Sequence, residues 1–224
     1  MKKRIKNIAI IPARKNSKGY KNKNRIFFDL TANFVKKLKF LDEVIVSSND
    51  GNLINKAKRY NFNYHIRRNY FAKSNTSIKS TFQNIVFEKK IESLTRLWLF
   101  YIPMPIRFKN DFIKAFKKSK LPKFKSICSF GEIPNKYHPY YSWSLNNGVI
   151  NFVKNNSFRR QVLPKAFYHF HYIHCIRADE LKFVNDEMIN KNTTPFFISN
   201  NLSQKLIEID EPKDIRDAKR KGLL

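Results

Sequence analysis

The sequence predicts a single α/β domain over residues 1–224, doubly wound around a mostly parallel sheet with a small β-rich extension. Over the first 130 residues, short apolar runs alternate with amphipathic stretches, as in strands joined by crossover helices. After residue 130 the pattern changes to extended segments around an Asn-Asn-Gly turn. A chain of 224 residues with 42% hydrophobic residues can bury its own core without disulfides.

The elements of the first half follow from hydrophobic periodicity. The predicted strands cover residues 8–11, 44–46, 64–66, 97–102 and 126–130. The predicted helices cover residues 34–40, 52–60, 76–91 and 111–118. The helix over 76–91 is the clearest, because Ile78, Phe82 and Ile85 recur at helical spacing and Thr76 is a candidate cap.

The second half is predicted to leave the sheet and return to it. Residues 141–145 and 149–153 flank Asn-Asn-Gly, a strong hairpin signal because Asn and Gly tolerate positive φ. Aromatic and β-branched residues predict a further extended segment over 166–176, and 205–209 is predicted to be a core strand. Pro212 then begins a final helix that ends at Lys221, since proline suits a first helical turn.

The composition excludes several classes of protein. No apolar run approaches the roughly 18 residues of a membrane span, and the apolar stretch before Pro12 is too short for a secretory signal core. Cys128 and Cys175 are too few for a disulfide framework or a zinc cluster, which predicts two buried thiols in a reducing compartment. We therefore expect a soluble cytoplasmic protein.

The positive charge is large but dispersed. The chain has 45 Lys and Arg against 17 Asp and Glu, a net charge of +28. The excess is mostly lysine, 32 residues, and it accompanies 25 Asn and 21 Phe, which indicates a compositional drift rather than a selected patch. We expect no specific nucleic-acid partner and only salt-sensitive binding to polyanions, with a basic nucleic-acid-binding domain as an alternative.

The loop after the first strand is the most informative segment. The twelve positions from Arg14 to Arg25 hold six cations and no carboxylate, together with Ser17 and Gly19. Open α/β sheets bind ligands at the carboxyl ends of strands, where such a loop can surround a triphosphate with cations and backbone N–H groups. The glycine spacing fits neither a Walker A loop nor a dinucleotide fingerprint, and a solvated basic loop is the alternative.

Two carboxylates near the C-terminus form a second candidate site. Glu208 and Asp210 lie two residues apart at the end of the predicted strand, so both would face the same side. Oxygen donors beside a phosphate loop suit Mg²⁺, although an ordinary surface pair preceding a helix is the alternative. His169 and His171 would also share a strand face, but with no carboxylate or cysteine ligand set apparent we expect aromatic packing there rather than a metal site.

Several segments, in order along nearly the whole chain, resemble the acylneuraminate cytidylyltransferases, also called CMP-sialic acid synthetases. The resemblance begins with Ile-Pro-Ala-Arg-Lys-Asn-Ser-Lys-Gly at 11–19 and Lys23-Asn24. It continues through residues 44–50, Arg67, 72–78, 126–129, His138-Pro139, Arg-Arg-Gln-Val-Leu-Pro-Lys at 159–165 and Ile-Glu-Ile-Asp-Glu-Pro-Lys-Asp at 207–214. The resemblance implies a nucleotide-diphospho-sugar transferase-like fold and a homodimer in which residues 131–180 form the dimerisation arm.

The resemblance also implies an activity and its residues. CTP would react with an acidic nine-carbon sugar of the sialic, legionaminic or pseudaminic type, giving the CMP-sugar and pyrophosphate with Mg²⁺ as cofactor. The implied catalytic residues are Arg14, Lys23 and Asp210, and the implied metal ligands are Glu208 and Asp210. The implied nucleotide-binding residues are Ala13, Arg14, Asn16, Ser17, Lys23, Asn24, Arg67 and Ser77, and the sugar-binding residues are Tyr101, Arg160, Gln161 and Phe170.

The departures from the family pattern cluster in the sugar half. The family's Gln-Pro-Thr-Ser-Pro-Leu-Arg loop is Tyr-Ile-Pro-Met-Pro-Ile-Arg at 101–107, so Tyr101 replaces the Gln that would reach the sugar. The family's Arg-Pro-Asn-Gly is Tyr-His-Phe-His at 168–171, and Glu208 replaces the first Asp of the metal pair. Two alternatives follow: a 3-deoxy-manno-octulosonate cytidylyltransferase, and a degenerate, non-catalytic nucleotide-binding relative.

Overall fold

A seven-stranded sheet and a separate two-stranded hairpin form the β-structure of the protein. A computed structural model describes residues 4–15, 19–73, 75–146, 149–152 and 163–223; for 143, 145–146 and 149–152 it describes the backbone alone. The strands are β1 (Asn7–Pro12), β2 (Glu43–Ser48), β3 (Asn63–Ile66), β4 (Arg96–Leu99), β5 (Ser126–Glu132), β6 (Trp143–Asn146), β7 (Val149–Phe152), β8 (Phe167–Arg177) and β9 (Thr193–Ile198).

The central sheet is mostly parallel. Its strand order is β3-β2-β1-β4-β8-β5-β9. β1 pairs in parallel with β2 and β4, and β5 pairs in parallel with β9, whereas β8 runs antiparallel to both β4 and β5. The strand order changes direction at β1, between β2 and β4, and the carboxyl end of such a switch point is where open α/β sheets bind ligands. The predicted fold class is confirmed.

Helices cover both faces of the sheet. They are α1 (Lys23–Lys36), α2 (Gly51–Arg59), α3 (Ile78–Glu88), α4 (Lys109–Ser119), α5 (Asn200–Ser203) and α6 (Pro212–Arg220). Successive residues of β1 enter different cores: Ala9 packs in the cluster that includes α1 and α4, and Ile10 packs with α3. This alternation explains why the whole of β1 is buried. Among the described helices, none is long and apolar enough to cross a membrane.

Two of the predicted elements are wrong. The helix predicted over 34–40 is displaced, because α1 begins at Lys23 and ends at Lys36; its N-terminal charges masked a buried face that includes Phe27 and Phe28. The strand predicted over 205–209 does not form. Leu206 and Ile209 are buried by packing, and β9, which the sequence did not predict, pairs with β5 at that edge instead.

Smaller differences concern where elements begin and end. The strand predicted over 97–102 ends at Leu99, and the cap of α3 is Ser77 rather than Thr76, since the Ser77 side chain accepts a hydrogen bond from the Ser80 N–H. The predicted hairpin forms as β6 paired antiparallel with β7. Within the predicted extension over 131–180, β8 is a strand of the central sheet, whereas β6 and β7 form a separate two-stranded sheet.

Candidate functional site

A cleft of about 570 Å³ opens at the carboxyl end of β1. Segments distant in sequence meet there: the end of β1 and the following loop, the approach to α3, the loop after β4, and two acidic dipeptides. The lining residues are Pro12, Arg14, Gly19, Lys23, Asn24, Arg67, Lys73, Asn75, Thr76, Ser77, Ile78, Thr81, Tyr101, Pro103, Asp186, Glu187, Asp210 and Glu211. Its volume is in the range of small-molecule sites.

The polar end of β2 fixes the chain as it leaves β1. The Ala13 N–H donates to the Ser47 carbonyl at 2.8 Å, and Ser48 Oγ donates to the Ala13 carbonyl at 2.5 Å. Ser47 and Ser48 are fully buried, and both hydroxyls have hydrogen-bond partners. Ala13 is buried too and does not line the cleft, so its contribution is the position of its backbone.

Two amide side chains hold the loop itself. The Lys15 N–H donates to Asn49 Oδ1 at 2.7 Å, and Asn24 Nδ2 donates to the Arg14 carbonyl at 2.9 Å. Asn24 lies in the first turn of α1, so the helix and the end of β2 together set the path of the backbone at Arg14. The Arg14 side chain lines the cleft.

The cationic loop and the C-terminal acidic segment meet directly. A Cβ atom added to Gly19 would lie 2.0 Å from the backbone carbonyl oxygen of Asp210, so only glycine fits at this close approach. The buried Lys23 amino group lies 2.5 Å from Asp210 Oδ1 and donates to the Ile209 carbonyl at 3.1 Å. The structure therefore brings together Lys23 and Asp210, two residues that the resemblance assigned to catalysis.

Arg67 gives the site a buried positive charge. Its side chain is 6% exposed, and its guanidinium donates to Ser47 Oγ at 3.3 Å and to the Ser47 carbonyl at 3.1 Å. Burial, and secondarily the charge of Arg14, lowers the pKa of Arg67 to about 10. No carboxylate forms an ion pair with Arg67 in the described part of the chain. Two guanidinium groups close together in a low-dielectric environment favour an anion beside them.

The start of α3 also lines the cleft. Ser77 caps the helix through its side chain, and Ser77, Ile78 and Thr81 face the cavity. The N-terminus of a helix carries a partial positive charge and free N–H groups, which add to the attraction for an anion. Lys73 lies next to this turn and also lines the cavity.

The cleft also has an acidic side, formed by Asp186, Glu187, Asp210 and Glu211, which adjoins the cations at the contact of Lys23 with Asp210. Asp186 and Glu187 were missed at the sequence level, because they lie in an irregular segment far from any recognised motif. Neither the hydrophobic pattern nor the charge pattern marks that segment.

Glu208 does not alternate with Asp210 on a strand, so that premise for the metal pair is wrong: residues 206–210 pair with no strand. Glu208 does not line the cavity, and its Oε2 accepts a hydrogen bond from His171 Nδ1 at 3.2 Å. Nevertheless both carboxylates lie near Tyr101. Burial, followed by the charges of Glu208 and Asp210, raises the pKa of the Tyr101 phenol.

The sugar-side residues have different placements. Tyr101 lines the cleft, with its ring centroid 5.1 Å from that of His171. Phe170 does not line it; its side chain packs against the main core, with its ring centroid 5.8 Å from that of Tyr168. The remaining assigned residues, namely Asn16, Ser17, Arg160 and Gln161, lie outside the described residues.

The two histidines on β8 are accompanied by further ligand-type side chains, so the expectation of a bare histidine pair is wrong. His171 donates from Nε2 to Glu187 Oε2 at 3.1 Å and from Nδ1 to Glu208. Burial lowers the pKa of His171, but its hydrogen bonds and charge interactions with Glu208 and Glu187 outweigh burial and leave the pKa raised. His169 also lies close to Cys128 and to a third histidine, His174.

The oxygen donors on the acidic side fit a Mg²⁺ ion. Carboxylates are the ligands that Mg²⁺ prefers, and here they line the same cleft as the cations Arg14, Lys23 and Arg67. Asp210 lines the cavity directly. Glu208 lies close by, with only one of its two oxygens engaged by His171.

Comparisons with known proteins find similarity in structure and not in sequence. No model of a known protein family matches the chain, and no curated protein matches it. CMP:2-keto-3-deoxy-manno-octonic acid synthetase complexed with CTP superposes with a TM-score of 0.69 at 13% identity, covering 97% of this chain and 98% of that one. The 4-diphosphocytidyl-2C-methyl-D-erythritol synthase of Anaerococcus prevotii gives 0.62 at 13% identity, covering 98% and 97%.

A third structure, the 2-C-methyl-D-erythritol 4-phosphate cytidylyltransferase of Francisella tularensis, gives a TM-score of 0.59 at 13% identity, covering 96% of this chain and 98% of that one. The chain therefore has the fold of these proteins over essentially its full length.

Proposed function

We propose that the protein is a CTP-dependent cytidylyltransferase that transfers CMP to an acidic sugar. The observation that carries this proposal is the buried Arg67 beside Arg14 at the carboxyl end of β1, with no ion-paired carboxylate at Arg67 among the described residues. A triphosphate supplies the anion that this pair lacks. The structural neighbours, named as cytidine nucleotide enzymes and in one case complexed with CTP, support the choice of nucleotide.

In this proposal the nucleotide is held by the cationic side of the cleft, which is the part lined by Arg14, Lys23 and Arg67. Arg14, Lys23 and Arg67 contact the phosphates, and Ser77 and Asn24 contribute from the starts of α3 and α1. The backbone at Ala13 completes the site. Asn16 and Ser17, which lie outside the described residues, are assigned to the same loop by the resemblance.

The chemical step is a substitution at the α-phosphorus. An oxygen of the sugar forms a bond to the α-phosphorus while the bond to the pyrophosphate oxygen breaks, and the sugar hydroxyl gives up its proton to water. Arg14 and Lys23 offset the negative charge that develops on the leaving pyrophosphate. Lys23 is suited to this role because Asp210 and the Ile209 carbonyl already fix the position of its amino group.

Mg²⁺ is the proposed cofactor, held by Asp210 with Glu208 as the second carboxylate. When bound, it would neutralise phosphate charge in the cleft. The closeness of both carboxylates to Tyr101 supports a shared location for them. A homodimer in which the region around β6 and β7 serves as the arm is likewise proposed from the resemblance alone.

The acceptor is proposed to be a nine-carbon acidic sugar, on the strength of the segment at 159–165, with contacts from Tyr101, Arg160, Gln161 and Phe170. An eight-carbon acid is the second candidate. It is favoured by the overlap with the synthetase of CMP:2-keto-3-deoxy-manno-octonic acid, with a TM-score of 0.69 over 97% of the chain.

Pyrophosphate release tests the proposal. The protein is incubated with CTP, Mg²⁺ and one acid at a time: sialic, legionaminic, pseudaminic and 3-deoxy-manno-octulosonic acid. We expect release with one of these acids, no release without an acid, and strong preference for CTP over ATP, GTP and UTP. Release with the eight-carbon acid alone would select the second candidate.

Calorimetry separates loss of turnover from loss of the nucleotide site. If folded protein releases no pyrophosphate with any acid but still binds CTP, the non-catalytic alternative is correct. If CTP also fails to bind in the presence of Mg²⁺, the assignment of the cationic cleft to a nucleotide is wrong.

A further inference from the structure

Three soft or borderline-soft donor atoms converge beneath the acidic side of the cleft. Cys128 Sγ on β5 lies 3.6 Å from His174 Nδ1 on β8. His169 Nε2 completes the group, and one donor atom from each residue lies within 4.8 Å of the others. Cys128 and His174 are buried, and among the described residues His169 Nε2 is a buried nitrogen without a hydrogen-bond partner. A buried polar atom without a partner costs free energy unless a ligand satisfies it.

A bulge in β8 makes this convergence possible. In a regular strand, residues five apart are separated by about 16 Å and face opposite sides of the sheet. Here the register shifts between Cys128 and Ser129, so that Cys128 opposes His174 whereas Ser129 opposes Phe170. The extra residues of β8 lie between His169 and His174, and Ser129 stabilises them by bonding to the backbone of Phe170 and Ile173.

In His169 and His174, the ring nitrogen that points away from Cys128, here called the outer nitrogen, is oriented as in metal-binding histidines. His174 Nε2 donates to the Met188 carbonyl at 3.2 Å, and His169 Nδ1 faces a Glu187 carboxylate oxygen at 3.7 Å. Protons on these outer nitrogens leave lone pairs on the inner ones, the arrangement that carbonyls and carboxylates impose on metal-binding histidines. Burial also lowers the pKa of His169 to about 4 and that of His174 to about 3, which keeps both rings neutral.

We propose that Cys128, His169 and His174 bind a Zn²⁺ ion. With Zn–S near 2.3 Å and Zn–N near 2.0 Å, a tetrahedral site separates sulfur and nitrogen by about 3.6 Å, which is the spacing of Cys128 Sγ and His174 Nδ1. One thiolate and two neutral imidazoles suit Zn²⁺ rather than Mg²⁺. On binding, the Cys128 thiol loses its proton to solvent and the sulfur–zinc bond forms, with no change of oxidation state.

The ion would join β5 to the bulge of β8 beside the acidic side of the cleft. With water as its fourth ligand, it would fix the segment of β8 that carries His169 and also His171, whose ring lies against Tyr101. This inference depends on none of the assignments made to CTP or to a sugar.

Zinc titration of chelator-stripped, reduced protein, in competition with a chromophoric chelator, tests the proposal. We expect one equivalent to bind, and Cys128→Ser to weaken its affinity at least 100-fold. Cys175→Ser is the matched control, because Cys175 is an equally buried thiol whose side chain faces the other side of β8. His169→Gln, at a half-buried position, provides a second variant if Cys128→Ser does not fold.

A neighbouring group of His169, His171 and Glu187 is the rival site. His171→Asn should leave zinc affinity unchanged if the cysteine site is correct and should abolish binding if the rival site is. X-ray absorption of the zinc-loaded protein should show one sulfur near 2.3 Å, and the Co²⁺ form should show a thiolate charge-transfer band. Absence of sulfur at the metal, or wild-type affinity equal to that of Cys128→Ser, would overturn the inference.

Discussion

The two sides of the cleft are built in different ways. The cationic side is made by short loops at the ends of neighbouring parallel strands, and hydrogen bonds with Ser47, Ser48 and Asn49 fix it: Ser48 Oγ donates, whereas the Ser47 carbonyl and Asn49 Oδ1 accept. The acidic side collects side chains from separate segments: Tyr101, Glu187 and Asp210 line it, with His171 and Glu208 behind them. The first side depends on local backbone geometry, and the second depends on how distant parts of the chain pack.

The charges of the two sides differ as well. A triphosphate is attracted to Arg14, Lys23 and Arg67, but an acidic sugar beside Asp186 and Glu187 would be repelled. The acidic side therefore needs a cation of its own to accept such a sugar. The proposed Mg²⁺ can serve, and the protonated form of His171, whose pKa is raised, offsets part of the charge of Glu187 and Glu208, which makes the acidic side the more dependent on conditions.

A substitution that separates the two sides of the cleft should have the largest effect on activity. Gly19→Ala places a Cβ 2.0 Å from the Asp210 carbonyl oxygen, so the loop and the C-terminal segment must separate, and with them Lys23 and Asp210. We expect the rate of pyrophosphate release to fall about 1,000-fold, the loss typical of removing a preorganised charge contact. The measurement is kcat/KM with thermal unfolding recorded in parallel.

Gly51→Ala is the matched control for this variant. Gly51 is the first residue of α2, its φ is not positive, and an added Cβ would meet nothing within 4 Å. We expect unchanged activity and an unfolding free energy equal to or slightly above the wild type, by about 0.5 kcal/mol. Wild-type kinetics in Gly19→Ala would show that the close approach is unimportant.

The cationic side alone is tested at Arg67. Arg67→Met keeps the bulk of the side chain but removes the buried charge beside Arg14, so CTP should bind about 100-fold more weakly by calorimetry. Arg68→Met is the control: Arg68 is 79% exposed and lies 3.7 Å from Glu88, a surface contact of little energetic value. Equal losses in the two variants would contradict a specific anion site.

The same contrast explains which parts of the fold could be predicted from the sequence. β1, β2 and α3 have apolar patterns that only one secondary structure satisfies, and they form as predicted. The helix predicted over 34–40 failed because clustered lysines hid the buried face of α1. β9 was not predicted because buried and exposed side chains alternate along it and because it contains Pro195, a residue that is rare in strands. The more apolar segment 205–209 packs without pairing to a strand.

The site divides in the same way. Arg14, Lys23, Arg67 and Asp210 were predicted and meet in one cleft, because strand ends of a parallel sheet lie at one edge. Glu187 and the convergence of Cys128 with His169 could not be predicted. They depend on an irregular segment and on a β-bulge, and neither leaves a periodic signal in the sequence.

The support beneath the cationic side should respond to pH. Asp50 caps α2 and binds Arg25 at 2.6 and 3.0 Å. Burial raises the pKa of Asp50, but the hydrogen bonds from Arg25 and Asn52 outweigh it and leave the pKa below its ordinary value of 3.8. Asp50→Asn should therefore cost about 2 kcal/mol of unfolding free energy at pH 7, from the lost charged acceptor for Arg25, since asparagine still caps a helix.

This loss should shrink in acid. A carboxyl group whose pKa is lower in the folded state than in the unfolded state stabilises the fold at pH values above its unfolded-state pKa. That stabilisation is lost as the pH falls through the folded-state pKa. Denaturant unfolding at several pH values should show the wild type and Asp50→Asn converging below about pH 4. Asp217→Asn, at an exposed pair with Arg220, is the control and should change stability by less than about 0.5 kcal/mol at any pH. A pH-independent difference at Asp50 would contradict the assignment.

The smallest expected effect belongs to the acidic side. Tyr101→Phe removes only the hydroxyl of a half-buried side chain, which keeps its proton because burial, Glu208 and Asp210 raise its pKa. We expect kcat/KM for the sugar to fall about 10-fold, the value of one hydrogen bond to a charged group, while the KM for CTP stays the same. The measurement is pyrophosphate release at varied sugar and saturating CTP.

Tyr172→Phe separates this effect from a general loss of packing. Tyr172 is buried, and its hydroxyl donates to Asp111 at 2.9 Å and accepts from the Phe108 N–H at 3.0 Å, but it does not line the cleft. The Tyr172→Phe variant should have an unfolding free energy about 1 kcal/mol lower and an unchanged KM for the sugar. If Tyr101→Phe instead raises the KM for CTP as much as that for the sugar, Tyr101 contacts the nucleotide. The division of the cleft into a nucleotide side and a sugar side would then be misplaced.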